Sequence, residues 1–255
     1  MYRMKSVETL ALLQAIQQLL AARNIRAGLV FPASDLLAHW RSRDLLLSQT
    51  CGFPLMTQLP DVQVVGCFHY SAPECEGVNY RSLLVTRRED GHKTLADFYG
   101  RCAVYNAADS QSGYNALLKM VAPLAKNGAF FARTMVSGSH HQSLAQIDRG
   151  KADIAAIDCV SWALMQRYEP QRCNGLSVID ASAGVPGLPL ITSADTSGQM
   201  LQCLREVLHE LVTSARYRKI CAALLITGFS EVMRQSYTVL TDWRRQAQEQ
   251  GITRL

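Results

Sequence analysis

The sequence predicts an α/β protein of two lobes, with mixed or parallel sheets flanked by helices. Three observations carry that prediction. The middle of the chain alternates short β-rich runs with amphipathic helical stretches, the pattern of successive βαβ units. Its length, 255 residues, suits two lobes of roughly 100–150 residues each. With 48% of residues hydrophobic and 18% charged, the chain has the balance of a folded core and not that of a disordered polymer.

The elements follow in order. Val7, Leu10, Leu12, Leu13, Ile16, Leu19 and Leu20 recur at helical spacing, with Ser6 as the N-cap and Glu8 in the first turn. A short helix follows Ser34, through Asp35 to Arg41. Residues 44–48 read as a buried strand, running into a polar turn, Gln49-Thr50-Cys51-Gly52, that ends at Pro54. Residues 62–68 and 80–86 are β-rich. From there strands at 101–105, 130–136, 153–157 and 176–179 alternate with helices at 112–126, 140–149 and 160–168. Gly150 and Pro170 supply stops, and the βαβαβ order implies a parallel sheet. A loop rich in breakers, Gly184-Val-Pro-Gly-Leu-Pro189, precedes a short strand at 190–192. Helices are expected at 199–212, 215–226 and 237–250. Chain crossings near residues 83–90 and 186–192 give lobe 1 as 1–86 with 190–255, and lobe 2 as 87–189.

Composition narrows the function classes. The net charge of +5 comes from dispersed basic residues, with only short clusters at Arg87-Arg88 and Arg244-Arg245. That weakly favours small anionic ligands and gives no reason to expect nucleic acid. No segment is long and apolar enough to insert in a membrane. The start of the chain shows no basic, apolar and small-residue signal pattern, so the chain as written is expected in the cytoplasm, and in the periplasm if its true start lies upstream. The eight cysteines are scattered without CxxC spacing, which fits neither zinc nor a disulfide framework; Cys67 and Cys75 are spaced to pair across a turn, but buried free thiols are the favoured reading. No Walker loop, GxGxxG, HExxH or GxSxG is present, and no cofactor or metal is expected.

In open α/β sheets, ligands sit beyond the carboxyl ends of the strands. Four segments stand there. Ser110, Gln111, Ser112, Gly113 and Tyr114 open a helix after a strand, where unpaired N–H groups and serine hydroxyls suit an anion; an ordinary N-cap explains a serine there equally well. Ser139 and His140 occupy the next such turn, where an imidazole can donate to an oxyanion. Asp158 follows a third strand, either as an N-cap or as an acceptor for a protonated ligand oxygen or an amine. Gln49, Thr50 and Cys51, with Tyr80, are candidates from the first lobe.

The ordered set Ser48-Gln-Thr-Cys-Gly-Phe-Pro54, Tyr80-Arg-Ser82, Ser110-Gln-Ser-Gly-Tyr114, Ser137-Gly-Ser-His140, Ala152-Asp-Ile-Ala-Ala-Ile-Asp158 and Pro186-Gly-Leu-Pro189 resembles the phosphate/phosphite/phosphonate substrate-binding proteins of bacterial ABC transporters. The resemblance runs from about Asp44 to Thr192. It implies the type II periplasmic-binding-protein (Venus-flytrap) architecture and a small oxyanion held between two lobes. It implies Ser110, Gln111, Ser112 and His140 as contacts to the oxyanion, with Tyr80 and the turn at Thr50–Cys51 facing it from the other lobe. An ABC-transporter permease is the implied partner. Gln111 stands where the family usually carries a smaller hydroxyl residue, and only Met1-Tyr2-Arg3-Met4 precedes the first helix, so the family's first strand reads as clipped. The competing expectation is a cytoplasmic enzyme on the same fold, acting on a small anionic metabolite with Cys51 beside the cleft. A regulator's effector domain is disfavoured, because the stretch before Asp44 is too short for a winged helix.

Overall fold

The computed structural model describes residues 6–31 and 35–255. Residues 1–4, where the family's first strand reads as clipped, and the helix start at Ser34 lie outside them. Up to Asn79 the chain forms α1 (Ser6–Ala21), α2 (Leu36–Trp40), β1 (Ser48–Gln49), α3 (Gly52–Thr57) and β2 (Gln63–Tyr70). Next come β3 (Asn79–Tyr80), β4 (Ser82–Arg87), β5 (Cys102–Tyr105), α4 (Ala116–Val121), β6 (Arg133–Val136), α5 (His140–Asp148), β7 (Ile154–Asp158), α6 (Cys159–Tyr168), β8 (Leu176–Ala181) and β9 (Val185–Pro186). The remainder is β10 (Pro189–Thr192), α7 (Gly198–Thr213), α8 (Arg218–Ala223), β11 (Ile226–Ser230) and α9 (Thr238–Glu249).

Two units emerge. Unit 1 holds the described residues up to Asn79 together with Pro186–Tyr237; unit 2 holds Tyr80–Val185 and Thr238–Leu255. The boundaries therefore fall within β3 and β9, each a few residues before the expected ones at 86/87 and 189/190. The larger difference is the C-terminal helix, expected in lobe 1. α9 buries Leu240, Trp243 and Ala247, and Ala247 and Ile252 join Leu117, Leu118 and Val121 of α4 in the core of unit 2. An amphipathic helix follows whichever apolar face receives it.

Unit 1 is built on an antiparallel sheet of order β1-β10-β2-β11. Leu12, Ile16, Leu19 and Leu20 of α1 and Leu204, Val207, Leu208 and Leu211 of α7 recur every three or four residues. They bury one stripe of each helix against Val65, Phe68, Leu190 and Phe229 of the sheet. Gly66 is required where β11 meets β2, since a Cβ there would lie 2.4 Å from both Phe229 Cζ and Ser230 O.

Unit 2 carries a sheet of order β6-β5-β7-β4-β8. β5 runs parallel to β6 and β7, as the βαβ pattern requires. β4 departs from the expected parallel sheet. It runs antiparallel to β7 on one side and β8 on the other, so the sheet is mixed.

Four local readings change. Residues 44–47 are not strand; only Ser48–Gln49 pair, with Ile191 and Leu190. Pro54 lies inside α3, in its first turn, where a missing N–H costs nothing. The expected helix over 215–226 stops at Ala223, and Leu225, with φ of 64°, turns the chain into β11. The expected helix over 112–126 opens as a π-helical turn, Gln111–Asn115, before α4 and ends as a 3₁₀ turn, Ala122–Leu124.

Candidate functional site

Because β5, β6 and β7 are parallel, their carboxyl ends share one edge of the unit 2 sheet. Each leads directly into a helical segment. Ser110, Ser139 and Asp158 are the N-caps of the three: Ser110 Oγ accepts from Gly113 N at 3.1 Å, Ser139 Oγ from Gln142 N at 3.2 Å and Asp158 Oδ1 from Ser161 N at 2.7 Å. The N-cap reading of Ser110 and Asp158 therefore holds in the structure, and Ser139 is a cap as well. It leaves the side chains that follow the caps available for other work.

Those side chains converge on one imidazole. His140 Nε2 lies 2.9 Å from Ser112 Oγ and 3.3 Å from Asp158 Oδ2. The His140 side chain is only 13% exposed and that of Asp158 only 5%, so both are screened from bulk water. Burial pushes the imidazole pKa below its usual value and outweighs the opposing pull of the Asp158 charge. The ring is neutral near pH 7. A carboxylate oxygen beside Nε2 favours the proton on that nitrogen, which leaves Nδ1 as the acceptor. Nδ1 is buried and has no hydrogen-bond partner among the described residues.

Asn106, at the end of β5, belongs to the same cluster although the sequence did not single it out. Its Oδ1 is also buried without a hydrogen-bond partner among the described residues. A Cβ on Gly113 would sit 1.9 Å from that oxygen and 3.2 Å from His140 Cε1. Gly113 is thus explained by the close approach of Asn106. The available signal was a polar amide ending a strand that leads into a helix.

The other candidates fall into place as follows. Ser110, Gln111 and Ser112 are buried in the turn. Tyr114, expected at the ligand, instead belongs to the core behind it: the ring stacks edge-on against Tyr105 at 4.8 Å and lies under the Arg244 guanidinium at 5.1 Å. Tyr80 is buried in unit 2, at its first residue, and not in the first lobe where it was expected. In unit 1, Gln49 Nε2 donates to Tyr70 Oη and Leu188 O, each at 3.3 Å, while its Oε1 is buried without a hydrogen-bond partner among the described residues. Thr50 N donates to Pro189 O, and Cys51 precedes α3 as its N-cap. No disulfide joins the eight cysteines; Cys67, which lies against Val78 O and Leu188 O, is pushed up to about 12 by burial. Among the described residues no cluster of His, Cys, Asp and Glu could hold a metal ion, and no helix is long and apolar enough to cross a membrane.

In unit 2 the parallel strands thus deliver three capped turns to one buried imidazole. Solved structures share the fold. PhnD1 from Prochlorococcus marinus MIT 9301, in complex with methylphosphonate, has a TM-score of 0.79 at 14% identity, covering 96% of this chain and 95% of that one. A binding-protein component of an ABC phosphonate transporter from Pseudomonas aeruginosa has a TM-score of 0.78 at 17% identity, covering 96% and 84%. A Xanthomonas citri protein bound to ATP has a TM-score of 0.69 at 18% identity, covering 94% and 92%. No curated protein matches the chain in sequence. The family model for the periplasmic substrate-binding protein of phosphonate ABC transporters matches residues 44–237, and the chain belongs to that family. It is a family of binding proteins, and the enzyme alternative finds no support in it.

Proposed function

We propose that unit 2 binds a small phosphorus oxyanion (phosphate, phosphite or a phosphonate) at Ser110, Gln111, Ser112, Ser139, His140 and Asp158. The observation that carries this reading is the meeting of Ser112 Oγ and Asp158 Oδ2 at His140 Nε2, with Nδ1 left without a hydrogen-bond partner among the described residues. Hydroxyls, a neutral imidazole and helix N-termini hold an anion through dipoles and need no counter-charge. A neutral ring can also take up a proton when an anion arrives. Asp158 repels a fully ionised ligand and accepts from one that keeps a proton. Gln49, Thr50 and Cys51 belong to unit 1 and Tyr80 borders it; the proposal rests on unit 2 alone. Delivery of the ligand to a transporter permease, in the periplasm, is the role that family membership supports.

Thermal unfolding of the protein with phosphate, phosphite, methylphosphonate, aminoethylphosphonate, sulfate and a small carboxylate tests the reading. A ligand at a hundred times its Kd stabilises by about 2.7 kcal/mol, a shift of several degrees. The expected result is a shift with a phosphorus oxyanion that Ser112→Ala diminishes. No shift with any phosphorus oxyanion, or an undiminished shift in Ser112→Ala, contradicts it.

A further inference from the structure

The turn that carries Ser110, Gln111 and Ser112 is held from behind by the C-terminal helix. Gln111–Asn115 is wound as one π turn: Asn115 N donates to Ser110 O at 3.0 Å, and Ala116 N to Gln111 O. A π turn is less stable than the α turn it replaces and persists only where its surroundings enforce it. Asn115 is 1% exposed, and its Nδ2 donates a second bond to Ser110 O at 3.3 Å. That bond requires the Asn115 amide to keep one orientation. Arg244 Nη1, from α9, donates to Asn115 Oδ1 at 2.8 Å and so fixes which end of the amide meets Ser110. The same guanidinium lies over the Tyr114 ring at 5.1 Å, and Tyr114 Oη accepts from Leu255 N at 3.3 Å. One planar, permanently charged group thus holds two consecutive residues of the turn, one by hydrogen bond and one by its face. Lysine, a point charge on a flexible stem, cannot do both.

We infer that Arg244 is a positioning residue for oxyanion binding: through Asn115 and Tyr114 it holds the 111–115 turn in the form that presents Ser112 to His140. Arg244 need not touch the ligand. The inference rests on the proposed function for its effect on affinity, but its effect on the turn is independent of any ligand.

The test compares wild type, Arg244→Met, Arg244→Lys and Arg245→Met. Arg245 is an exposed neighbour that, among the described residues, pairs with Asp242 and Glu249 of its own helix, which makes it a control for charge loss on α9. Two readouts are taken: hydrogen exchange of the amides of 112–116 in the ligand-free protein, and Kd for methylphosphonate by calorimetry at 25 °C. The expected result is faster exchange confined to 112–116 in Arg244→Met and a Kd about tenfold weaker. Arg244→Lys should be intermediate and Arg245→Met unchanged. If Arg244→Met lowers only the overall melting temperature, with exchange at 112–116 no faster than in the rest of unit 2 and Kd within about twofold of wild type, the positioning role is overturned. If wild type binds none of the phosphorus oxyanions, the proposed function falls. The exchange pattern at 112–116 still decides whether Arg244 holds the turn.

Discussion

Gly113→Ala separates the geometry of the site from its backbone. The φ of Gly113 is not in the left-handed region, so alanine brings no backbone strain, and the whole effect comes from one methyl group. That methyl would lie 1.9 Å from Asn106 Oδ1, 3.1 Å from Asn106 Cγ and 3.2 Å from His140 Cε1. Contact between carbon and oxygen needs well over 3 Å, so Asn106 must swing away by more than ~1 Å inside a packed site. Overpacking of this kind costs about 1–3 kcal/mol, a fall in Tm of roughly 2–10 °C. The shifted Asn106 and His140 also disturb the Ser112–His140 contact, so oxyanion affinity should fall by about tenfold or more. The assay is calorimetry of unfolding and of binding on Gly113→Ala and on Gly113→Ala/Asn106→Ala. The double variant removes the colliding oxygen, and that atom has no hydrogen-bond partner to lose among the described residues, so both stability and binding should recover substantially. A single variant with Tm within about 1 °C of wild type, or a double variant no better than the single, refutes the reasoning.

The depressed pKa of His140 makes stability depend on pH. Burial lowers it despite Asp158, so between the folded value and the unfolded value of about 6.5 only the unfolded chain holds the proton. Its contribution is present above pH ~6.5 and is lost as pH falls, by up to about 1.4 kcal/mol per pH unit. The difference in stability between wild type and His140→Gln, measured by urea unfolding from pH 8 to 5, should therefore shrink or reverse in the acid range; a constant difference counts against a buried neutral ring. Trp243→Ala tests the assignment of α9 to unit 2: truncating a side chain this buried costs about 3–5 kcal/mol, and hydrogen exchange should accelerate in α4 and β5. Acceleration in α1 and α7 of unit 1 instead would contradict that assignment.

The capped turns were legible because they are written in local chemistry. Ser110, Ser139 and Asp158 each stand between a β-rich run and a helical period, and each caps a helix in the structure. Serine and aspartate are favoured there for reasons confined to a few residues. The residues that failed to show in the sequence depend on distant partners. Ile226, the first residue of β11, reads as the end of the helix before it, since Leu224-Leu225-Ile226 keeps an apolar period; the break falls on Leu225, a residue type that gives no sign of a positive φ. The antiparallel placement of β4 between β7 and β8 is a matter of topology, which strand propensity does not encode. The apolar stripe of α9 announced that the helix packs against something but not against which unit. Tyr114 was misplaced for the same reason: an aromatic next to a ligand turn looks alike whether it faces outward or inward, and here Tyr105, Arg244 and Leu255 draw it inward.

The most direct test of the central claim is nitrogen NMR of the imidazole rings, titrated with methylphosphonate and phosphate, with His140 assigned by its absence in His140→Gln. The account predicts that the His140 nitrogens shift with saturable dependence on a phosphorus oxyanion, while His69 and His209 of unit 1 stay in place. Saturable binding in calorimetry with the His140 nitrogens unmoved would contradict it.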